Sequence, residues 1–559
     1  MKQKHNPYYP ETIVCMGYSS FFDDYDEVDI HTLLEGIPSR VALKFIAENL
    51  GKVLYSQSDT ASQKPLIREY CRYVSKDLKE RIWKYMRSNP ECMLYETYGC
   101  SLLYGLILQN YQPQDEGDDY EELCQDEYEQ LFKALTYCNQ RWTDEQTNGF
   151  RSLNLAEMSM LADIPIVEFK SYKDFKYQIY KIIPFFRFLE TDPYYKQHVL
   201  PAFYADKKVA SWKEYVGRIF NLYAQSLDSS ELDVSKGTEE DYHFFGQYAA
   251  NPEDAECAHL WEGHNAINYL RSHFLYPIGE KKFELLNANF LVDKIYQGVK
   301  FDIYDSIEKH DIKNKKGKSY KERPEFLSAI GTDFSEAGLL HALMLKTFAG
   351  RYDALYTGLQ LKDLGVEAEP DLYMRIGKSL FLFEFKDNNL GDPIKYSADL
   401  EQIKKGIIDR ICLYTERKKK GAGQLHQTIE NIVKHSMDAI DPEIKDVERI
   451  YPIVVVTDRA FSAIGVQALV IRESSKFPPT MFEGFVAIPI VVDFDTLIDM
   501  SYRLHTGAVE FEALFQDYLF LCKTKIQPFS GYIRERYKRK GAKAFTTEEV
   551  RYLYEEAIE

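Results

Sequence analysis

The chain has 559 residues, 45% of them apolar and 14% aromatic, which allows several domains with substantial cores and excludes a globally disordered protein. Its formal charge of −18 excludes a protein that coats nucleic acid through overall basicity, yet leaves room for a local basic groove. The nine cysteines are scattered and contain no Cys-x-x-Cys pair, so neither a disulfide framework nor a zinc ribbon is expected, and a reducing cytoplasm fits best.

No apolar leader follows Met1 to Pro7, and no stretch approaches the roughly 18 apolar residues that span a bilayer, so a soluble, cytoplasmic, unexported chain without membrane contact is expected. The acidic run from Asp115 to Glu129 reads as a solvated loop or helix face. Residues 1–310 carry apolar side chains at three-to-four spacing, as in Leu131, Leu135 and Cys138 or Phe175, Ile179 and Ile182, which predicts a large, mainly α-helical region with a possible subdomain break near 228–240. No chemical motif is legible in it. A polar, basic segment from His310 to Pro324 has the composition of an exposed linker and sets a domain boundary near 325.

Beyond it the pattern becomes α/β over 325–525. It predicts a helix from Ser335 to about Ala349, a strand hairpin over 371–387, amphipathic helices near 396–416 and 423–438, and apolar strands Ile450 to Val456 and Phe485 to Val492. Residues 526–559 read as a basic helical tail with Arg534, Arg536, Lys538, Arg539, Lys540 and Lys543, either a solvated helix end or a backbone contact.

The hairpin carries the chemistry. Gly377 in the first position of a two-residue loop suits a type II′ turn, which pairs Ile376 with Ser379 and, stepping outward, Asp371 with Glu384. Strand periodicity puts Asp371, Tyr373, Leu382, Glu384 and Lys386 on one face and Leu372, Met374, Ile376, Phe381, Phe383 and Phe385 on the other. Carboxylates facing each other at about 5 Å repel by roughly 3 kcal/mol at an effective dielectric near 20, so a positive group should offset them. Two carboxylates and a lysine on one rigid face suit a hard divalent cation, with the ammonium left for a water or a phosphate oxygen; a plain salt-bridge cluster at a sheet end fits the same residues.

Pro370-Asp371 followed by Glu384-Phe385-Lys386 resembles the signature of the PD-(D/E)xK phosphodiesterases, the restriction-endonuclease-like nucleases. The resemblance covers about 325–525. Glu-x-Lys also occurs at Glu168, Glu280, Glu416 and Glu443, but only the 371–386 segment pairs its acids through a derived register. The resemblance implies an αβββαβ core, a mixed central sheet flanked by helices. It implies Asp371, Glu384 and Lys386 as catalytic residues, and Mg²⁺ or Mn²⁺ held by Asp371, Glu384 and the Phe385 carbonyl. Lys386 would orient the attacking water or help deprotonate it and stabilise charge on the phosphorus oxygens.

Family members often add a carboxylate from the preceding helix. Glu336 fits that place, at the start of a helix that Ser335 would cap, where the helix dipole explains a Glu equally well. Lys404, Lys405 and Arg410, followed by Arg417 to Lys420, are candidate backbone contacts, and Gln424 resembles a post-hairpin glutamine that some nucleases point at the site. The resemblance further implies nucleic acid as substrate, DNA before RNA, in a bacterial anti-phage defence or DNA-processing setting. There the helical region would recognise a trigger, a protein partner, nucleic acid or a second copy of the chain. A non-catalytic adaptor that keeps the fold for binding or assembly is the alternative.

Other signals fail on spacing. Gly317-Lys318-Ser319 and Gly377-Lys378-Ser379 lack the first P-loop glycine, so no NTP site is expected. Cys257, His259, Glu262 and His264 do not match a zinc pattern, and no Gly-x-Ser-x-Gly elbow is present.

Overall fold

The computed structural model describes residues 14–55, 60–111, 122–147, 152–168, 174–257, 259–320, 322–537 and 546–558. The chain divides into two compact units. One comprises Met1–Asn148, Glu168–Gln178 and Gln197–Ile312; the other comprises Gly149–Val167, Ile179–Lys196 and Lys313–Glu559. Two segments that precede residue 200 thus fold with the C-terminal part.

The second unit is built on a mixed six-stranded sheet. Its strands are β1 (Ala354–Thr357), β2 (Leu372–Ile376), β3 (Ser379–Lys386), β4 (Arg449–Val456), β5 (Phe485–Val486) and β6 (Ile490–Asp493). β2 runs antiparallel to β1 and β3, whereas β4 pairs parallel with β3 on one side and with β5 and β6 on the other. The predicted strand over 485–492 is one strand interrupted at Pro489, which has no N–H to give the ladder; its carbonyl instead accepts from Gln467 Nε2 at 2.8 Å.

Over 372–383 the hairpin register is the one derived above: Ile376 faces Ser379, Arg375 faces Leu380, Tyr373 faces Leu382 and Leu372 faces Phe383, where the ladder ends, one pair short of Asp371 and Glu384. Gly377 takes φ +54° while Lys378 stays at negative φ, as a type II′ loop requires. Both faces of the hairpin are covered. Tyr373, Leu380 and Leu382 pack into a core with Ile403, Ile407, Leu425 and Ile429, from helices α1 (Leu400–Ile411) and α2 (Ala422–Val433). On the opposite face Phe381 stacks on Tyr451 and meets Phe511, and Phe385 meets Phe494 edge-on. Burial of each such side chain contributes roughly 1.5–3 kcal/mol, so the hairpin is pinned from both sides.

Both helices are shorter than their patterns suggested. Ala398 takes φ +51° and Asp399 then caps α1 by accepting from the Glu401 and Gln402 N–H groups, while His435 at φ +66° follows the end of α2. The helix expected from Ser335 starts earlier, running without a break through Arg323–Ile330, Gly331–His341 and Ala342–Thr347, with π-helical bonding in the middle stretch. Glu336 is therefore mid-helix, so the dipole no longer accounts for it, and Ser335 is no cap: its hydroxyl bonds to the Asp387 carboxylate.

On the face that carries Asp371, a buried ion pair braces the hairpin. Asp441 accepts from Tyr373 OH at 2.7 Å and from Arg375 Nε at 2.7 Å and Nη2 at 2.9 Å. Burial works against the Asp441 charge, but these donors outweigh it and hold its carboxyl below the usual range. Asp441→Ala leaves the Arg375 guanidinium with exposed Glu443 and Asp353 as its carboxylate partners and a long 3.5 Å contact to the Gly377 carbonyl. We expect a loss of about 2 kcal/mol, read as a lower urea midpoint by far-UV circular dichroism; an unchanged midpoint refutes the bracing role.

The first unit is mainly helical, as its periodicity predicted, and adds a small antiparallel sheet, Glu231–Asp233 beside Lys282–Leu285 beside Leu275–Gly279. In the tail, helices Phe529–Arg536 and Thr547–Ile558 form, and Arg536 pairs with Asp517. Lys538, Arg539, Lys540 and Lys543 lie outside the described residues, as does the acidic run up to residue 121. Among the described residues no helix is long and apolar enough to cross a membrane.

Candidate active site

Asp371 lies one residue before β2, at the open end of the hairpin, and its Oδ2 accepts the Phe385 N–H at 2.6 Å. Its own carbonyl is anchored twice, by Gly358 N–H at 2.9 Å and by His341 Nε2 at 2.7 Å. A carbonyl only accepts, so His341 carries its proton on Nε2. Gly358 is required there, because a Cβ would come within 2.9 Å of the Pro370 carbonyl oxygen. Neither His341 nor Gly358 was legible as a site residue; the contacts reach across 30 and 13 positions, and no local pattern marks them.

The proline of the motif acquires a physical reason. Leu372 and Phe383 are the last pair of the ladder, and the same register carried two residues further would set Phe385 opposite Pro370. Pro370 has no N–H to give there, which would leave the Phe385 carbonyl without a ladder hydrogen bond from that side. The Phe385 ring points to the other face, against Phe494 at 5.5 Å.

Glu384 is 1% exposed, and its Oε1 is bonded by Lys386 Nζ while its Oε2 has no hydrogen-bond partner. Burial first, then the Asp371 charge, push its carboxyl up to about 8, with Lys386 pulling the other way. Asp371 is raised by burial too, against the pull of Lys386 and the Phe385 N–H. Burial also opposes the Lys386 ammonium, but Glu384 and Asp371 outweigh it and raise its pKa, so Lys386 is a cation. Glu336, half-buried on the π-helical stretch, is pushed up to about 7 by burial and by Asp371, which places its carboxyl in the same electrostatic field. Lys386 Nζ donates also to Gln424 Oε1 at 3.1 Å, and that oxygen accepts the Gly421 N–H at 3.2 Å.

The structure thus links Asp371, Phe385, Glu384, Lys386 and Gln424 through hydrogen bonds, whereas Glu336 shares their electrostatic field and, among the described residues, does not complete a three-carboxylate metal cluster with them. It does not treat the basic residues alike. Lys404 is buried between Glu157 at 2.6 Å and Glu401 at 2.9 Å, so its charge is already neutralised and it is not on offer to a phosphate. Glu157 lies far away in sequence, in a helix of one of the early segments, which is why this pairing was not foreseen. Arg410 is half-buried with Nη1 on the Gly406 carbonyl at 3.0 Å, and Lys405 is exposed.

An unpartnered oxygen on a fully buried carboxylate costs several kcal/mol unless something positive meets it. Glu384, Asp371 and the Phe385 carbonyl are all hard oxygen donors, a set that suits Mg²⁺ or Mn²⁺. Among the described residues no three His, Cys, Asp or Glu side chains form a group that could hold a metal ion. Comparisons of the chain with protein-family models, with curated proteins and with solved structures find no match.

Proposed function

We propose that this chain is a metal-dependent nuclease of the PD-(D/E)xK kind, hydrolysing phosphodiester bonds of nucleic acid, with DNA the first substrate to test. The order of helix, three strands, helices and strand in the second unit is compatible with that reading. The observation that carries it is the buried, unpartnered Glu384 Oε2 beside Asp371 and Lys386 at the open end of the hairpin. A purely structural salt bridge would have no use for a second acid that raises the pKa of the first.

Asp371, Glu384 and the Phe385 carbonyl would hold Mg²⁺ or Mn²⁺, which when bound supplies Lewis-acid polarisation of a phosphoryl oxygen and lowers the pKa of water. The chain's own residues do the rest. Lys386, kept cationic by its two acids, meets the negative charge that develops on the phosphorus oxygens, and its raised pKa favours this electrostatic role over proton removal. Gln424 fixes the ammonium by accepting one of its protons, and the Phe385 N–H fixes the Asp371 carboxylate. Glu336 is placed to accept a proton near the site, or to give one up, around neutral pH.

The test is Mg²⁺-dependent cleavage of plasmid, single-stranded DNA and RNA by the full chain and by Lys386→Ala. Loss of one preorganised charge of this kind costs on the order of 10²–10³ in rate. Equal rates for wild type and variant, or no metal-dependent cleavage of any of the three, reject the reading and leave the adaptor.

A further inference from the structure

The loop between α1 and α2 is closed tightly and carries four consecutive basic side chains. Tyr414 and Lys419 bridge across it, the Lys420 N–H donates to the Leu413 carbonyl at 2.8 Å, and Thr415 N–H to the Lys418 carbonyl at 2.9 Å. Two glycines allow the closure. A Cβ on Gly421, which sits at φ +57°, would fall 2.1 Å from the Ile411 carbonyl oxygen, and one on Gly423 would fall 2.0 Å from that of Leu413. Tyr414 packs on His426 and Phe477, which fixes the base of the loop to α2 and its surroundings.

Its tip reads Glu416-Arg417-Lys418-Lys419-Lys420, and Arg417 and Lys418 are exposed. Among the described residues none of the four cations forms an ion pair with a carboxylate, although the chain as a whole has 87 acidic against 69 basic side chains and pairs many of its other lysines. The loop is also tied to the site. Gly421, immediately after Lys420, donates to the same Gln424 oxygen that receives Lys386. The Lys420 ammonium is lowered in pKa by burial and by Lys418, Lys386 and Arg410, with Asp409 opposing, so these cations share one field. Such an arrangement repels itself in the free protein, and a polyanion relieves it.

We propose that the loop Leu413–Lys420 is a grip for the phosphate backbone of a nucleic-acid strand, with Lys420 on a phosphate neighbouring the one held at Lys386 and with Lys418 and Arg417 on phosphates further along. This rests on the nuclease reading above and names how the strand is held. Sequence plays no part in such contacts, which position the strand and make binding steeply salt-dependent.

The experiment measures fluorescence anisotropy of labelled duplex DNA, single-stranded DNA and RNA with the full-length Asp371→Asn chain, between 50 and 200 mM KCl. The loop variant Arg417→Gln/Lys418→Gln/Lys420→Gln is compared in the same background, with Lys420→Gln alone and with Lys523→Gln, at an exposed position elsewhere. Each lost phosphate contact flattens the slope of log K against log salt by about 0.9 on duplex or 0.7 on a single strand. We expect the triple variant to lose about two to three such steps and at least tenfold in affinity, Lys420→Gln about one step, and Lys523→Gln none. Whichever ligand shows the loss identifies the strand type. If wild-type chain cleaves and the Asp371→Asn chain binds, but the loop variants keep the same slope and affinity, the grip is overturned and the nuclease reading stands. If no nucleic acid binds and none is cleaved, the nuclease reading fails and the grip fails with it.

Discussion

Asp371→Asn removes metal-dependent cleavage while leaving the metal-free protein at least as stable as wild type. The two halves of this result have one cause. In the free protein Asp371 and Glu384 share a single ammonium; burial raises both acids, and the Asp371 charge raises Glu384 further. Asparagine keeps a carbonyl oxygen where Oδ2 accepts the Phe385 N–H, and the main-chain anchors from Gly358 and His341 do not involve the side chain. What it loses is one negative charge, which relieves Glu384 and takes away a ligand. We expect cleavage to fall on the order of 10³-fold. The melting temperature without metal should hold or rise by about 1–3 °C, and the stabilisation that Mg²⁺ gives wild type by mass action should disappear. A calorimetric melt lowered by more than a few degrees would show that Asp371 is there to hold the fold.

The hairpin was legible because its determinants are local. A glycine at the first loop position sets the turn, the turn sets the register, and period-two alternation then sets the face, so Asp371, Glu384 and Lys386 follow without knowledge of anything else. What surrounds it depends on distant partners. Lys404 looked available on α1 because Glu157, its partner, comes some 250 positions earlier. Glu336 looked like the opening of a helix, because nothing local announces that the preceding helix continues through Gly331 into π-helical bonding. β1 escaped notice as four residues of mixed character at the sheet edge. Asp441, which braces Tyr373 and Arg375, lies in a polar loop that reads as solvent-exposed. The small sheet of the first unit was missed since its strands carry Glu231, Lys282 and Glu284 where a buried strand should be apolar.

That same sheet gives the chain a falling stability above acid pH. Glu284 sits on its middle strand, opposite Glu231 on one side and Tyr276 on the other, and is fully buried with neither carboxyl oxygen hydrogen-bonded. Burial pushes its carboxyl up to about 8; Ser230 and Lys44 oppose the rise, Glu48 and Glu231 add to it. The folded pKa lies above that of an unfolded glutamate, near 4.3, so between the two the native state holds a proton that the unfolded chain releases. Stability is therefore full below about pH 4.3 and declines as pH rises toward 8, by at most about 1.4 kcal/mol per unit and at most about 5 kcal/mol across the window. Glu284→Gln stays neutral throughout and should remove this component of the slope. All four tryptophans, Trp83, Trp142, Trp212 and Trp261, lie in the first unit, so urea unfolding followed by tryptophan fluorescence reports on it alone. Measured at pH 5, 6, 7 and 8, the curves of wild type and Glu284→Gln should diverge steadily, with the variant ahead at pH 8. Parallel curves would mean that Glu284 is ionised in the folded protein, its charge met by a partner that the buried sheet does not reveal.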